Sequence, residues 1–296
     1  MPVIPRAQFG RTGHSSSRVI FGAAALGGMS PERAITTLEL IADHGVNHLD
    51  VAAGYGNGRA ETNMAPWLAE HRGSVFLATK TGQRSGSAAR RELEESLTRM
   101  GVGSVDLIQL HNLVEPDEWE TAHAKDGAAD AMFAARDEGL VRFVGVTGHG
   151  RRIPATHLRS LAARDYDSVL FPYNHTMLSW PDYRADVESL LAVCTQRNVA
   201  VQTIKSIARG RWGDGDVKKF SWYEPITDPA AISRAVRFVL SRPQLFLNST
   251  SDARLLPLVL GAAAGDLSAP NEGEMREDEV ELGITPLFDG EALERI

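Results

Sequence analysis

Four side chains in this sequence have complementary proton chemistry, and each stands at or just past the end of a short apolar run. Asp50 and Tyr55 go with His48 to Ala52, Lys80 closes Val75 to Thr79, and His111 follows Val105 to Leu110. A tyrosine with its ordinary pKa of about 10 is a poor proton donor at neutral pH. An ammonium held against it favours the phenolate and lowers that value. An aspartate paired with the lysine keeps it charged and oriented, and a neutral histidine can donate a hydrogen bond to a carbonyl oxygen. Together the four supply a proton and a polarising donor to an oxygen on which negative charge develops, the proton side of a carbonyl reduction. Each also has a plainer reading: Lys80 as a solvated or paired strand-end residue, Asp50 as a turn cap, His111 as a satisfied structural histidine, and Tyr55 packed in a loop between Gly54 and Gly56. Their joint occurrence at consecutive run ends is what favours chemistry.

Such a set needs a frame that brings consecutive run ends together. Short apolar runs recur at Val19 to Phe21, His48 to Ala52, Val75 to Thr79, Val105 to Leu110, Phe143 to Val146, Ser168 to Phe171, Val199 to Ile204 and Leu245 to Leu247. Between them lie amphipathic stretches, Ala34 to Asp43, Arg90 to Met100, Ala128 to Asp137, Ala185 to Arg197 and Ala231 to Leu240. Strands alternating with helices predict a parallel sheet, and about eight such units predict a closed (β/α)8 barrel, in which residues past the C-terminal strand ends face the active site. Ser30-Pro31 reads as an N-cap followed by proline at the first helical position, and Gly45 as a helix stop.

No linker divides the chain, so a single domain over residues 1–296 is expected, with 263–296 as a C-terminal tail. The acidic stretch from Gly265 to Glu279 reads as flexible, ahead of an apolar segment, Ile284 to Phe288, that can dock back on the barrel.

Composition removes other classes. The chain carries a net charge of -7, and its Lys and Arg are spread rather than clustered, which argues against nucleic-acid binding. No stretch approaches the roughly 20 apolar residues that span a bilayer, and the first ten residues lack a signal-peptide run. The expectation is a soluble cytoplasmic protein. One cysteine, Cys194, allows no internal disulfide and falls on the apolar face of a helical stretch, as core packing. Oligomeric state is not legible.

The motifs carry a resemblance. Phe9 to Gly13, Gly45 to Gly56 with Asp50 and Tyr55, Ala78-Thr79-Lys80, Val105 to His111, and Gly139 to Thr147 resemble the aldo-keto reductases, over the span from near Phe9 to about Leu260. The resemblance implies Tyr55 as general acid, Lys80 and Asp50 as the pair that tunes it, and His111 as the group that orients the carbonyl of an aldehyde or ketone. It also implies hydride from NADPH, with NADH as the other possibility, bound without a Rossmann fingerprint; no GxGxxG follows the first strand.

Candidate cofactor contacts follow from the same resemblance. Gly22 ends the first strand; Thr147 stands after the fifth, with His149 where an Asn is more usual; Asn174 matches a carboxamide-binding position, or else makes an Asx turn. Lys205, Ile207, Arg209 and Gly210 resemble a pyrophosphate loop, and Ile204 stands where a ring often lies under the nicotinamide, leaving Phe171 or Tyr173 as substitutes. Ser249, Thr250 and Ser251, with Arg254, can meet a 2′-phosphate, although Asp252 favours NADH; a serine-rich cap is the plainer reading. Trp119, Trp212, Trp222 and Tyr223 are candidate pocket walls. Two other readings stay open: a cofactor-sensing subunit with negligible turnover, and a barrel isomerase or lyase using Lys80 or His111 without a nicotinamide.

Overall fold

The computed structural model describes residues 3–213, 215 and 220–290. Eight parallel strands close into a barrel: β1 Val19–Gly22, β2 His48–Asp50, β3 Phe76–Thr81, β4 Val105–Leu110, β5 Val141–Thr147, β6 Ser168–Pro172, β7 Ala200–Ile204 and β8 Leu245–Asn248, with β8 hydrogen-bonded to β1. This is the expected (β/α)8 architecture in one domain. Helices cover the outside, so β3 and β4 are buried along their whole length.

The helices are α1 Pro31–Asp43, α2 Arg59–His71, α3 Gly86–Met100, α4 Pro116–His123, α5 Ala128–Asp137, α6 Ile153–Ala163, α7 Pro181–Arg197, α8 Pro229–Leu240, α9 Leu256–Ala263 and α10 Glu272–Leu282. In α1, Ser30 accepts from the Arg33 amide, Pro31 opens the first turn, and Ala34, Thr37, Leu38 and Ile41 form the buried stripe. That spacing of three and four residues is the reason the segment is helical and faces the barrel. Cys194 is buried on α7.

The barrel floor is closed from outside the eight units. An antiparallel hairpin, Arg6–Gln8 with Ser15–Ser17, delivers Phe9 beneath the strands. The Phe9 ring is fully buried and sits 4.7 Å from the His48 ring, 5.1 Å from Phe246 and 5.5 Å from Phe76. The bottom is therefore packed, and the open end is the C-terminal one.

The stretch expected to be flexible contains most of α10. Asn271 and Glu274 form a reciprocal cap at its start. Asp278 makes two 2.6 Å hydrogen bonds to Arg234 of α8, and Glu279 meets His175 at 2.5 Å. The acidic composition that reads as solvated is instead matched by cations far away in sequence. Beyond the helix Leu287 and Phe288 are buried, whereas residues 291–296 of the expected tail lie outside the described residues.

Candidate active site

The register of the first four strands places the four candidate residues together at the open end. Gly22 pairs with Asp50, Asp50 with Ala78, and Lys80 with Gln109. His111 immediately follows β4, its amide bonded to the Thr81 carbonyl at 2.8 Å. Tyr55 comes from the turn between β2 and α2. Gly56 makes that turn possible: its φ is +61°, and a Cβ there would lie 2.8 Å from the Gly27 backbone.

Lys80 Nζ is 2.8 Å from Asp50 Oδ2, donates to the Val51 carbonyl at 2.8 Å, and reaches the Tyr55 hydroxyl at 3.3 Å. The Tyr55 and His111 rings meet edge to face at 5.8 Å. Asp50 is held from two further directions. Gln109 Nε2 donates to its Oδ1 and Asn248 Nδ2 to its Oδ2, each at 2.8 Å, and Gln202 Nε2 in turn donates to Gln109 at 2.9 Å. All of these lie inside a barrel whose lower layers are apolar, where a satisfied polar network is strong and an unsatisfied one costly.

Electrostatics follow from this packing. Burial works against the charge of Lys80, but Asp50, then Tyr55, outweigh it and hold the ammonium above its ordinary range. Desolvation pushes the Tyr55 phenol above its usual value, and the Lys80 charge pulls the other way without cancelling it. Burial, helped by Lys80 and Arg84, lowers His111 to about 3, so its imidazole is neutral at physiological pH.

Above the four residues is a small cavity of about 60 Å³, lined also by Gly22, Thr147, His149, Ile204, Lys205, Ser249 and Ser251. The Thr147 hydroxyl donates to the Leu110 carbonyl and accepts from the Asn112 amide. Ser249 Oγ accepts from the Gly22 amide at 3.0 Å, tying β8 to β1. Two buried polar atoms beside this cavity, Asn248 Oδ1 and Ser251 Oγ, have no hydrogen-bond partner among the described residues. Lys205 is buried, carries the unusual φ of +65°, has no carboxylate partner among the described residues, and is lowered to about 7 by desolvation. An amide oxygen that can accept, a hydroxyl that can donate and a buried lysine with no carboxylate partner among the described residues fit an anionic, hydrogen-bonding ligand such as a nicotinamide dinucleotide.

Other candidates are placed elsewhere. Asn174 does not line this cavity: its Nδ2 donates to the Lys205 carbonyl at 2.8 Å and its Oδ1 caps Thr176 and Met177, so it braces the strained Lys205 backbone. Ile207 is buried in the core. Arg209 bonds the Leu282 carbonyl and Glu224, each at 2.6 Å, and Gly210 faces Thr285. Thr250 lies beneath the surface near the Tyr223 hydroxyl. Arg254 is ion-paired with Asp252 at 2.6 Å, at the edge of a larger groove. Phe171 and Tyr173 are core residues and do not line the cavity, whereas Trp222 and Tyr223 do. Trp119 packs inside α4 and bonds Ser160, whereas Trp212 lines the larger groove.

Gln109 was not among the candidates, yet a polar residue between Ile108 and Leu110 in a buried run is the signal that would have found it.

A closed barrel with an Asp-Tyr-Lys-His cluster at its C-terminal mouth defines a class, and the comparisons agree. The model of the Aldo/keto reductase family matches residues 18–225, and the chain belongs to this family. A D-threo-aldose 1-dehydrogenase of a Pseudomonas species is 23% identical over 239 residues, covering 69% of this chain and 70% of that protein. An uncharacterized oxidoreductase of Bacillus subtilis is 28% identical over 143 residues, 44% of either chain, so the match spans less than half of that relative's length. Among solved structures, an aldo-keto reductase from Klebsiella pneumoniae in complex with NADPH superposes with a TM-score of 0.70 at 19% identity, covering 99% of this chain and all of that one, a likeness of fold.

Proposed function

We propose that the protein reduces aldehydes or ketones to alcohols with NADPH, and that Tyr55 donates the proton. The single observation that carries this is the Lys80 ammonium, 2.8 Å from Asp50 and 3.3 Å from the Tyr55 hydroxyl. Membership of the family and the complex of the Klebsiella relative with NADPH support the choice of cofactor.

Bound NADPH would supply the hydride that the carbonyl carbon accepts. Thr147 and Ser251 would hold its nicotinamide end and Lys205 its diphosphate charge, and Arg254 would meet a 2′-phosphate only by giving up its pair with Asp252. As charge grows on the carbonyl oxygen, Tyr55 transfers its phenolic proton there and solvent later restores it. A raised phenol pKa is compatible with this, since an alkoxide is far more basic than a phenolate. Lys80 stabilises the transient phenolate, Asp50 keeps Lys80 oriented, and neutral His111 donates a hydrogen bond to the carbonyl oxygen without competing as an acid.

The test is a titration with NADPH and with NADH, followed by turnover of a panel of aldehydes and ketones by wild type and Tyr55→Phe. The variant should bind NADPH nearly as well and lose about 10²-fold or more in kcat. A variant as fast as wild type removes Tyr55 from the proton step, and tight cofactor binding with no hydride transfer to any carbonyl points to a sensing subunit.

A further inference from the structure

Beside the small cavity lies an open groove of about 810 Å³, adjoining it at Ala24, Trp222 and Ser251. Its walls divide by chemistry. Ala25, Met29, Trp212 and Phe220 give an apolar flank, while among the described residues four arginines, Arg33, Arg59, Arg211 and Arg254, line the rest against a single acid, Asp252. In a chain of net charge -7 that is a local reversal of sign.

The four arginines are not equivalent. Arg254 spends its guanidinium on Asp252, with Nε at 2.9 Å and a terminal nitrogen at 2.6 Å, and lies 3.9 Å from the Phe220 ring centroid. Arg211 Nε donates to the Leu287 carbonyl. Arg33 and Arg59 are exposed and have no carboxylate partner among the described residues, in a chain whose arginines are mostly ion-paired. They stand in the first turns of α1 and α2, and Arg59 Nε donates to the Gly56 carbonyl at 3.3 Å. Gly56 also lines the groove, next to Tyr55. A guanidinium fork with unused donors matches the two oxygens of a carboxylate or phosphate.

We infer that this groove is the substrate site and that Arg33 and Arg59 bind an oxyanionic group carried by the carbonyl compound, whose apolar body lies along the Trp212 and Phe220 flank with its carbonyl at Tyr55. The inference rests on the reductase reading and adds a substrate class to it: carbonyl compounds with an oxyanion, such as a carboxylate, remote from the reacting carbon.

The experiment compares 4-carboxybenzaldehyde with benzaldehyde, a pair differing only in the carboxylate, at saturating NADPH. Wild type should favour the anionic aldehyde in kcat/KM, and the double variant Arg33→Met, Arg59→Met should lower the ratio of the two by about tenfold, through KM. Both positions are exposed and methionine suits a helix, so the fold should survive. An unchanged ratio overturns the inference. So does a rise in the Kd for NADPH at least as large as the change in the ratio, which would give the arginines to the cofactor's phosphates. If wild type reduces neither aldehyde, the reductase reading is the one that falls. In that case quenching of tryptophan fluorescence by benzoate, lost in the double variant, would sustain the groove as an anion site, and equal responses to benzoate and benzyl alcohol would overturn it.

Discussion

At Tyr55 two effects oppose each other. The barrel mouth desolvates the phenol and raises its pKa, while the Lys80 ammonium, kept charged by Asp50 against the same desolvation, draws it down. The net direction is upward, so the hydroxyl is a phenol throughout the neutral range, and the rate should not fall on the alkaline side until above about pH 10. Asp50 can play its part only because Gln109 and Asn248 fill its other lone pairs. Replacing Gln109 by Leu removes one charge-assisted hydrogen bond and also strands the Gln202 amide, which donates to Gln109. We expect the Gln109→Leu variant to lose about tenfold in kcat, with an alkaline limb moved from its wild-type pH, and to be destabilised by about 1–3 kcal/mol. A pH–rate profile beside a denaturation curve checks both, and an unshifted limb with full kcat would remove Gln109 from the positioning of Asp50. Gln109 acts through Asp50 and never touches the substrate.

Among the elements, the closure between β8 and β1 matters most to the mouth. Gly22 ends β1, its amide bonds Ser249 Oγ, and a Cβ at this position would lie 2.8 Å from the Ser249 carbonyl oxygen. The backbone of Gly22 is extended, so its need for glycine is one of space rather than dihedral freedom. Gly22→Ala should push the Ser249 to Ser251 segment outward. The expected outcome is a lower Tm, by a few degrees, together with weakened NADPH binding and a smaller effect on Tyr55 chemistry. Calorimetry and a cofactor titration measure the two separately, and a variant with wild-type Kd would show that this seam does not touch the cofactor. Further out, the Asp228 cap of α8 and the Asn271 cap of α10 place Arg234 opposite Asp278, which is how an acidic C-terminal segment comes to be ordered against the barrel.

For the whole molecule, histidines buried as neutral rings set the acid limit. Burial lowers His111 to about 3 and His157 to about 4, and it lowers His48 well below its ordinary value. The unfolded chain takes up these protons at pH values where the native state does not. Stability is therefore complete above about pH 6.5 and falls progressively as the pH drops toward 4, by up to about 3 kcal/mol for His157 alone. His157→Gln retains a side-chain amide to replace the ring nitrogen 2.9 Å from the Leu170 carbonyl. It should flatten the loss of Tm between pH 6.5 and 4, and an equal slope in the two proteins would remove His157 from the acid response. The same histidines show how far the sequence could be read. The eight apolar runs and the ends where Asp50, Tyr55, Lys80 and His111 stand were legible, since strand burial and βα alternation are local patterns and the four polar residues interrupt them at fixed places. Helix α2 shows no clean apolar stripe in the sequence because its inward face mixes Glu61 with Met64, Trp67 and Leu68, a carboxylate whose burial is met by Arg99 and Thr79 from other elements. Arg209 and Asn174 fitted a local motif, but tertiary contacts with Leu282, Glu224 and Lys205 claimed their side chains. The sequence by itself determined the barrel and the identity of the four mouth residues, because those depend on periodicity and residue type along the chain. Only the tertiary structure decided which cations are already paired, which cavity each polar group faces and how the acidic tail is held, because those depend on partners tens to hundreds of residues away.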